Sequence, residues 1–145
     1  KSTGTNWTQE AYIKAVNNDA DDKFGHEVSV YGGTLVVGTY GDDSNQTTIT
    51  NGTNASSNNN SADSGAVYVY TRSGTTWSQQ AYIKAANSDQ YDYFGDMVSI
   101  DNGTLAVGVE REDSNQNTIT NGTSASSNNS NAESGAVYVY SFYEK

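Results

Sequence analysis

The sequence has no cysteine, no proline and a single histidine among its 145 residues. The absence of cysteine excludes disulfides, thiolate metal sites and a cysteine nucleophile. Because His26 is the one imidazole, a Ser-His-Asp triad or a multi-histidine metal site would need residues from other subunits. No pair of nucleophile and base remains, so we predict a protein that is not an enzyme and has no catalytic residues.

Basic side chains are also scarce. Seven Lys and Arg stand against 17 Asp and Glu, which gives a formal net charge of -10 at pH 7. A nucleic-acid partner is not expected, because phosphate neutralisation needs a basic patch that seven dispersed cations do not provide. No apolar run approaches the roughly 20 residues of a membrane-spanning helix, so membrane insertion is not expected either.

Large apolar residues are few, since Leu, Ile, Val and Phe together make about 15% of the chain. That share alone is typical of a disordered protein. The eleven tyrosines and an internal repeat indicate a folded protein instead.

The sequence repeats itself at an offset of 70 residues. Residues 6–70 align with residues 76–140 without a gap, and about 42 of the 65 positions are identical. A repeat of this length forms one supersecondary unit that buries its faces against copies of itself. We predict two tandem units, residues 1–75 and residues 76–145.

Each unit has the pattern of several short strands. Glycine-containing turns separate some of the β-prone runs and predict tight hairpins between them. No window has convincing helical periodicity, so we predict an all-β fold of two four-stranded antiparallel blades, as in a β-propeller. The runs are 11–15, 28–30, 34–38 and 65–70 in the first unit, and 81–85, 98–100, 104–108 and 135–140 in the second.

Two long polar segments interrupt the strand pattern. Residues 43–64 and 113–134 consist almost entirely of Asn, Ser, Thr, Gly and Ala. Structureless loops of this length are uncommon inside compact domains, yet this one recurs at the same place in both units. We interpret each segment as an insertion at the rim of a blade.

Four motifs recur in the same order in both units, and together they resemble the FG-GAP repeat family. They are Phe-Gly at 24–25 and 94–95, Leu-x-Val-Gly at 35–38 and 105–108, Asp-Ser at 43–44 and 113–114, and Ser-Gly-Ala-Val-Tyr-Val-Tyr at 64–70 and 134–140. The chain is similar to the bacterial extracellular type, which is related in pattern to the propeller of integrin alpha chains. The resemblance implies an extracellular or cell-surface β-propeller with a structural or adhesive role. The alternative, by resemblance to the integrin head, is a calcium-dependent ligand-binding propeller fragment of a larger surface protein.

Two departures from the family pattern limit what the resemblance implies. The triplets at 38–40 and 108–110 have no proline where the family has Gly-Ala-Pro. The acidic calcium loop of the integrin type is replaced by the short turns at 31–33 and 101–103. Calcium binding is therefore not carried over from the family.

The order of the predicted strands leaves both ends incomplete. The opening run at 9–15 corresponds to 79–85, the outermost strand of the first blade, and the last blade lacks a fourth strand. Two blades are also too few, since propellers take roughly four to eight. In one solution, 9–15 of one copy completes the last blade of its neighbour, which gives a head-to-tail ring or filament. In the other, this chain is part of a larger propeller.

Oxygen-bearing side chains cluster just before each Phe-Gly motif, on the loops that link successive blades. Calcium prefers six to eight oxygen ligands, which makes it the candidate cofactor. The alternative is a solvated turn, in which Asp and Asn bond their own backbone. The candidate metal ligands are Asn17, Asp19, Asp22, Asn87, Asp89 and Asp92.

Asn-x-Ser/Thr triplets in the polar segments are candidate glycosylation acceptors, although such triplets also arise by chance in a chain this rich in Asn, Ser and Thr. The acceptors would be Asn45, Asn51, Asn54, Asn59, Asn121 and Asn128. The alternative is that these loops are self-solvating covers. The predicted partners are further copies of the chain, with a cell-surface protein or a glycan as the other option.

Aromatic residues are predicted to pack the blades. Trp7 and Trp77 are expected to be packing anchors at blade edges rather than sugar platforms. His26 aligns with Asp96 and is expected on the surface. The alternation with valine predicts that one sheet face carries the tyrosines that pack between blades, namely Tyr68, Tyr70, Tyr138 and Tyr140.

Overall fold

The structure is a computed structural model that describes residue 4 and residues 6–142. The ends of the two predicted units, residues 1–3, 5 and 143–145, lie outside the described residues. The described part is all-β, as predicted, and contains no helix that is long and apolar enough to cross a membrane. Its strands are β1 (Glu27–Tyr31), β2 (Thr34–Thr39), β3 (Ile49–Asn51), β4 (Ala66–Ser73), β5 (Thr76–Ile83), β6 (Met97–Asp101), β7 (Thr104–Val109) and β8 (Ala136–Ser141).

The first sheet has five antiparallel strands in the order β1-β2-β4-β5-β3. A hairpin joins β1 to β2 through Gly32, and a second joins β4 to β5 through Gly74; both glycines have positive φ, 59° and 62°. Tight hairpin turns need this conformation, which glycine adopts without strain. The four strands predicted for this sheet are confirmed. The short strand β3 is an addition, and it comes from the polar segment.

The second sheet has three antiparallel strands in the order β6-β7-β8. Its register repeats that of the first sheet, since Val107 pairs with Tyr138 just as Val37 pairs with Tyr68. Within the described residues, no fourth strand pairs with β8. We call β1-β2-β4-β5 the first blade and β6-β7-β8 the second blade.

The predicted opening strand at 9–15 belongs to neither sheet. A strand requires a partner for its backbone N–H and C=O groups, and none pairs with this segment in the single chain. The segment is nevertheless held against the first blade. Ala15 is buried and Ile13 half-buried in the apolar cluster that contains Tyr82, and Arg72 lies 3.0 Å from the Glu10 carboxylate.

Alternation along the strands gives each blade two different faces. The Val face carries Val67 and Val69 in the first blade and Val137 and Val139 in the second, and the Tyr face carries Tyr68, Tyr70, Tyr138 and Tyr140. The main apolar core forms where the Val face of the first blade packs on the Tyr face of the second. The predicted packing of tyrosines between blades is therefore confirmed for the second blade.

The Phe-Gly motif places an aromatic ring on the Tyr face of the blade that follows it. Phe94 packs edge-on to Tyr138 and Tyr140, with ring centroids 5.4 and 6.3 Å apart. Phe24 makes the same pair of contacts with Tyr68 and Tyr70, again at 5.4 and 6.3 Å. The two repeats thus share their local packing as well as their register.

Candidate functional site

The contact between the two blades uses one face of each blade and leaves the other face open. Val67 and Val69 are 0% and 9% exposed because the second blade covers them, whereas their counterparts Val137 and Val139 are 69% and 65% exposed. On the Tyr face of the first blade, Val28 is 56% exposed while the matching Val98 is 7% exposed. The molecule therefore exposes a Val face on its second blade and a Tyr face on its first blade. These are the same two kinds of surface that pack together between its blades.

The Phe-Gly corner of the second blade fits closely onto the first blade. Gly95 has a φ of 92°, and a Cβ atom on Gly38 would collide with its carbonyl group. Gly65 forms a parallel bridge with Phe94, whose N–H donates to the Ser64 carbonyl at 3.1 Å. Glycine at these positions lets the two backbones touch.

The same elements are open at the two ends of the molecule. Gly108 and Gly135, which correspond to Gly38 and Gly65, meet only atoms of their own blade. They line an open pocket of about 340 Å³ together with Met97, Glu110 and Ala136. At the other end, the Cβ position of Gly25 is surrounded by open space. One end thus carries a Phe-Gly corner and the other the matching recess.

Strand β8 has a free outer edge. In the first blade, β4 pairs with β5 from Val67 to Ser73, and β5 pairs with β3. No described strand pairs outside β8, and edge strands of this kind recruit strands from other chains. Ile119, the counterpart of Ile49 in β3, is 89% exposed. Among the described residues, the second blade therefore has no counterpart of the two strands, β5 and β3, that lie outside β4 in the first blade.

A buried polar network closes the outer edge of the first blade. The Asp42 carboxylate accepts hydrogen bonds from the Tyr82 hydroxyl at 2.8 Å and the Ser44 N–H at 3.1 Å, and its Oδ1 lies 3.3 Å from Lys84 Nζ. Lys84 also donates to the Ser64 hydroxyl at 2.8 Å. The Lys84 side chain is fully buried.

Burial shifts the pKa values of Lys84 and Tyr82 in this network. It lowers the pKa of Lys84, although the Asp42 carboxylate opposes that shift, and it raises the pKa of Tyr82. An unpaired charge at this depth would be costly, so the lysine and the aspartate depend on each other. The identical Tyr-Ile-Lys triplets at 12–14 and 82–84 are the sequence signal for this role, which composition and motif analysis missed.

The second blade has the same network without a cation. Glu112, in the place of Asp42, is buried and accepts hydrogen bonds from Asn87 Nδ2 at 2.9 Å and the Ser114 N–H at 3.1 Å. The Tyr138 hydroxyl donates to Asn87 at 2.6 Å. In the described part of the chain, no Lys, Arg or His lies within ion-pair distance of Glu112.

The candidate calcium ligands form one polar turn in each repeat. Asp22 accepts a hydrogen bond from the Asp19 N–H at 3.0 Å, and Asp92 accepts the same bond from Asp89. The remaining candidates, Asn17 and Asn87, bond the two buried networks instead. Across residues 4 and 6–142, no three or more His, Asp or Glu side chains are grouped so that they could hold a metal ion. Calcium binding stays a prediction.

Desolvation affects the turn carboxylates as well. Burial raises the pKa of Asp22, and it raises the pKa of Asp92 to about 6, although the bond from the Asp89 N–H opposes the shift. Neighbouring carboxylates add to both shifts. These turns therefore hold ionised carboxylates at some cost near neutral pH.

The polar segments are ordered by their own hydrogen bonds. Asp43 accepts from the Ser61 N–H at 2.7 Å and from the Asp63 N–H at 2.7 Å, and Asp113 makes the equivalent bonds to Asn131 and Glu133. These bonds close each segment at its base. All six candidate glycosylation residues are exposed, namely Asn45, Asn51, Asn54, Asn59, Asn121 and Asn128.

Three remaining aromatic candidates differ in their surroundings. Trp77 packs on the apolar cluster of the Tyr face, beneath the Arg72 guanidinium at 5.9 Å, as a packing anchor should. Trp7 is fully exposed, so it anchors nothing in the single chain. His26 lies on the surface, as predicted, 3.0 Å from Asp96.

Comparison with known proteins agrees with this architecture. The family described as FG-GAP repeat matches residues 7–70 and again residues 77–140. No curated protein and no solved structure matches the chain at a significant level. The two matched segments cover most of the sequence and coincide with the two structural repeats, so the chain belongs to the FG-GAP repeat family, whose repeats are blades of a β-propeller.

Proposed function

We propose that this protein is a non-enzymatic extracellular structural or adhesive module that assembles with copies of itself, head to tail. The Val face of the second blade in one copy packs on the Tyr face of the first blade in the next copy. Residues 9–15 of that next copy pair with β8 and complete the second blade. Contacts of this heterologous kind close into a ring or continue as a filament.

One observation carries this proposal: the two end surfaces repeat the two halves of the contact inside the molecule. Val137 and Val139 stand open where Val67 and Val69 are covered. The packing that buries the inner pair is available to the outer pair, and burial of such side chains contributes about 1.5–3 kcal/mol each. A second copy supplies a surface of the right shape and polarity.

The opening segment already lies where the outer strand of a preceding blade belongs. Ile83, the last residue of β5, and Ala85, just after it, lie in the core between the blades. The corresponding Ile13 and Ala15 occupy the same positions on the Tyr face of the first blade. A neighbour that docks on this face brings its β8 edge to the segment. The strand is thus positioned before it pairs, which reduces the entropic cost of assembly.

The extracellular assignment rests on the family and on charge. FG-GAP repeat proteins are generally extracellular or surface-associated and typically non-enzymatic. The net charge of -10 and the two long polar segments suit a solvated exterior. In the assembly, the polar segments stand at the rims of the blades, where a surface protein or a glycan can reach them.

The test is the mass of the native particle as a function of concentration, by analytical ultracentrifugation. We expect particles that are multiples of the 15.5 kDa chain, with growth favoured at high concentration. A monomer at every concentration would contradict self-assembly. It would leave the alternative that further blades of a larger propeller cover these faces.

Tryptophan fluorescence gives a second readout of the same contact. If residues 9–15 pair with β8 of a neighbouring copy as β5 pairs with β4, Trp7 takes the position of Trp77 and reaches the gap between the two blades of that neighbour. An apolar pocket of about 350 Å³ lies there, lined by Leu105, Tyr140 and Phe142 among others. We expect the emission of the exposed Trp7 to shift to shorter wavelength on assembly. The Trp7→Phe variant retains Trp77 and should lose that shift.

A further inference from the structure

The strongest signal outside the apolar faces is the buried Glu112 carboxylate, which has no cation among the described residues. In the first blade, the corresponding Asp42 is paired with Lys84, which directly follows β5, the strand that closes the blade. The second blade retains the acceptor groups and lacks the closing strand. A buried carboxylate without a cation is costly, so the second blade is electrostatically incomplete.

We infer that Glu112 and Ser134 form a socket for the Lys14 ammonium group of a second copy. This inference rests on the proposed head-to-tail assembly and names the ionic contact that holds it. Lys14 aligns with Lys84, Glu112 with Asp42 and Ser134 with Ser64. When 9–15 pairs with β8 as β5 pairs with β4, Lys14 arrives beside Glu112.

The socket already has the geometry of its template. The Ser64 hydroxyl donates to the carbonyls of Asp42 and Ser44 at 3.2 and 2.8 Å, which leaves its lone pairs to accept from Lys84. The Ser134 hydroxyl donates to the carbonyls of Glu112 and Ser114 at 3.2 and 2.6 Å in the same way. Its lone pairs therefore stay available to accept a hydrogen bond from a lysine.

The donor side is equally prepared. Lys14 and Tyr12 are exposed in the single chain, whereas Lys84 and Tyr82 are buried. Lys14 makes no ion pair with any described residue. The incoming Tyr12 hydroxyl would approach Glu112 as the Tyr82 hydroxyl approaches Asp42. Glu112 is one methylene longer than Asp42, which extends its reach toward the incoming strand.

The decisive experiment compares the self-association of the full chain with that of Lys14→Met and Glu112→Gln by analytical ultracentrifugation. Each variant leaves one partner of a buried pair alone, so each should weaken association on the order of 100-fold. The double variant should be no weaker than either single one. Asp101→Asn, which removes an exposed carboxylate from a hairpin turn of the same blade, should stay within about twofold of wild type.

Mixing the two variants tests the direction of the contact. A Lys14→Met copy keeps an intact socket, and a Glu112→Gln copy keeps an intact lysine. The mixture should therefore form pairs with near wild-type affinity, although each variant alone associates weakly. Unchanged association of both single variants would overturn the inference and leave head-to-tail assembly in place.

A peptide of residues 6–18 separates the socket from assembly if the full chain proves monomeric. The peptide should then bind the full chain, and its Lys14→Met form should bind on the order of 100-fold more weakly. Equal binding of the two peptides, or no binding of either, would overturn the socket. Thermal unfolding of dilute Glu112→Gln checks that this variant folds, and loss of an unpaired buried charge should not lower its midpoint.

Discussion

The two blades have nearly the same sequence and register but differ in what covers them. Tyr82 is completely buried and Tyr12, at the equivalent position, is 81% exposed. Both side chains occupy the same place in the repeat, so the difference comes from the neighbouring strand and not from the residue. Whether a side chain is buried therefore depends on whether a neighbouring strand or blade covers it. Each blade needs the next blade to bury its Val face.

The short strand β3 illustrates the same dependence. Residues 49–51 pair with Ile83, Tyr82 and Ala81 of β5, whereas the identical sequence at 119–121 forms no strand. In the first repeat, β5 is available to pair with the polar segment. In the second repeat, no described strand lies outside β8, so the polar segment has no strand to pair with. A strand added at the edge of β8 should therefore also pair with residues 119–121, as β5 pairs with residues 49–51.

The largest expected effect comes from a charge placed on the inner or the outer Val face. Val67→Asp puts an unpaired carboxylate into the core between the blades and should lower the free energy of unfolding by about 4 kcal/mol or more. Val137→Asp makes the same change on the open face and should leave the stability of the dilute monomer nearly unchanged. Urea unfolding of both variants measures the difference.

The outer variant also tests assembly. Val137→Asp should abolish self-association in ultracentrifugation, because the carboxylate would be buried in the contact with the next copy. Equal destabilisation of the monomer by the two substitutions would show that the two Val faces do not differ as described.

The next largest effect concerns the two lysines. Lys84→Met leaves the buried Asp42 carboxylate without its cation and should destabilise the chain by about 3 kcal/mol. Lys14→Met removes an exposed charge and should change the stability of the dilute chain by less than about 0.5 kcal/mol. Thermal unfolding at concentrations where the chain is monomeric checks both values. A large loss in Lys14→Met would mean that the opening segment is already paired within its own chain.

Periodicity and turn chemistry predicted seven of the eight strands of the described residues. Alternation of Val and Tyr and the glycine turns indicate local structure, and the repeat multiplies that evidence. Strand β3 was missed because its three residues pair only when β5 is present, which is a tertiary effect. The strand predicted at 9–15 does not form in the single chain for the same reason, since its partner is absent.

The candidate site was only partly visible in the sequence. The need for an added strand followed from the strand count, but the buried Lys84–Asp42 pair did not, because lysine is rarely fully buried. The recess at Gly108 is recognised only by comparison with its counterpart Gly38, whose backbone closely approaches Gly95. Such backbone approach leaves little signal beyond the recurrence of glycine.

A smaller effect distinguishes the two polar turns by pH. The pKa of Asp92 is raised to about 6 by burial, so the folded chain binds this proton more tightly than the unfolded chain does. Stability from this group therefore falls as pH rises from about 4 to about 6 and stays low above that range. Asp92→Asn should raise the free energy of unfolding by roughly 2 kcal/mol at pH 8 and change it little at pH 4.

The matched variant in the first repeat is Asp22→Asn. The pKa of Asp22 is also raised by burial, so this substitution should act in the same direction and by a smaller amount. Urea unfolding across pH 4 to 8 measures both. A gain that is equal at pH 4 and pH 8 would show that the effect does not come from ionisation of the carboxylate.

The smallest expected effect is that of calcium. The Asp22 carboxylate already accepts the Asp19 N–H, and the Asp19 carboxylate accepts the Asn59 side-chain amide at 3.3 Å. A calcium ion needs six to eight oxygens, and it would have to displace these bonds. We therefore expect millimolar calcium, compared with a chelator, to move the unfolding midpoint by less than about 1 °C.

Several degrees of stabilisation by calcium would contradict this expectation, provided that Asp22→Asn removes the effect and Asp101→Asn does not. In that case a bound cation would offset the cost of burying ionised Asp22 and Asp92, whose pKa values burial raises. Loss of the calcium effect in Asp92→Asn alone would place the ion in the second repeat, where Asp92 carries the larger pKa shift. The comparison of the two turns would then separate a metal site from a hydrogen-bonded turn of the same sequence pattern.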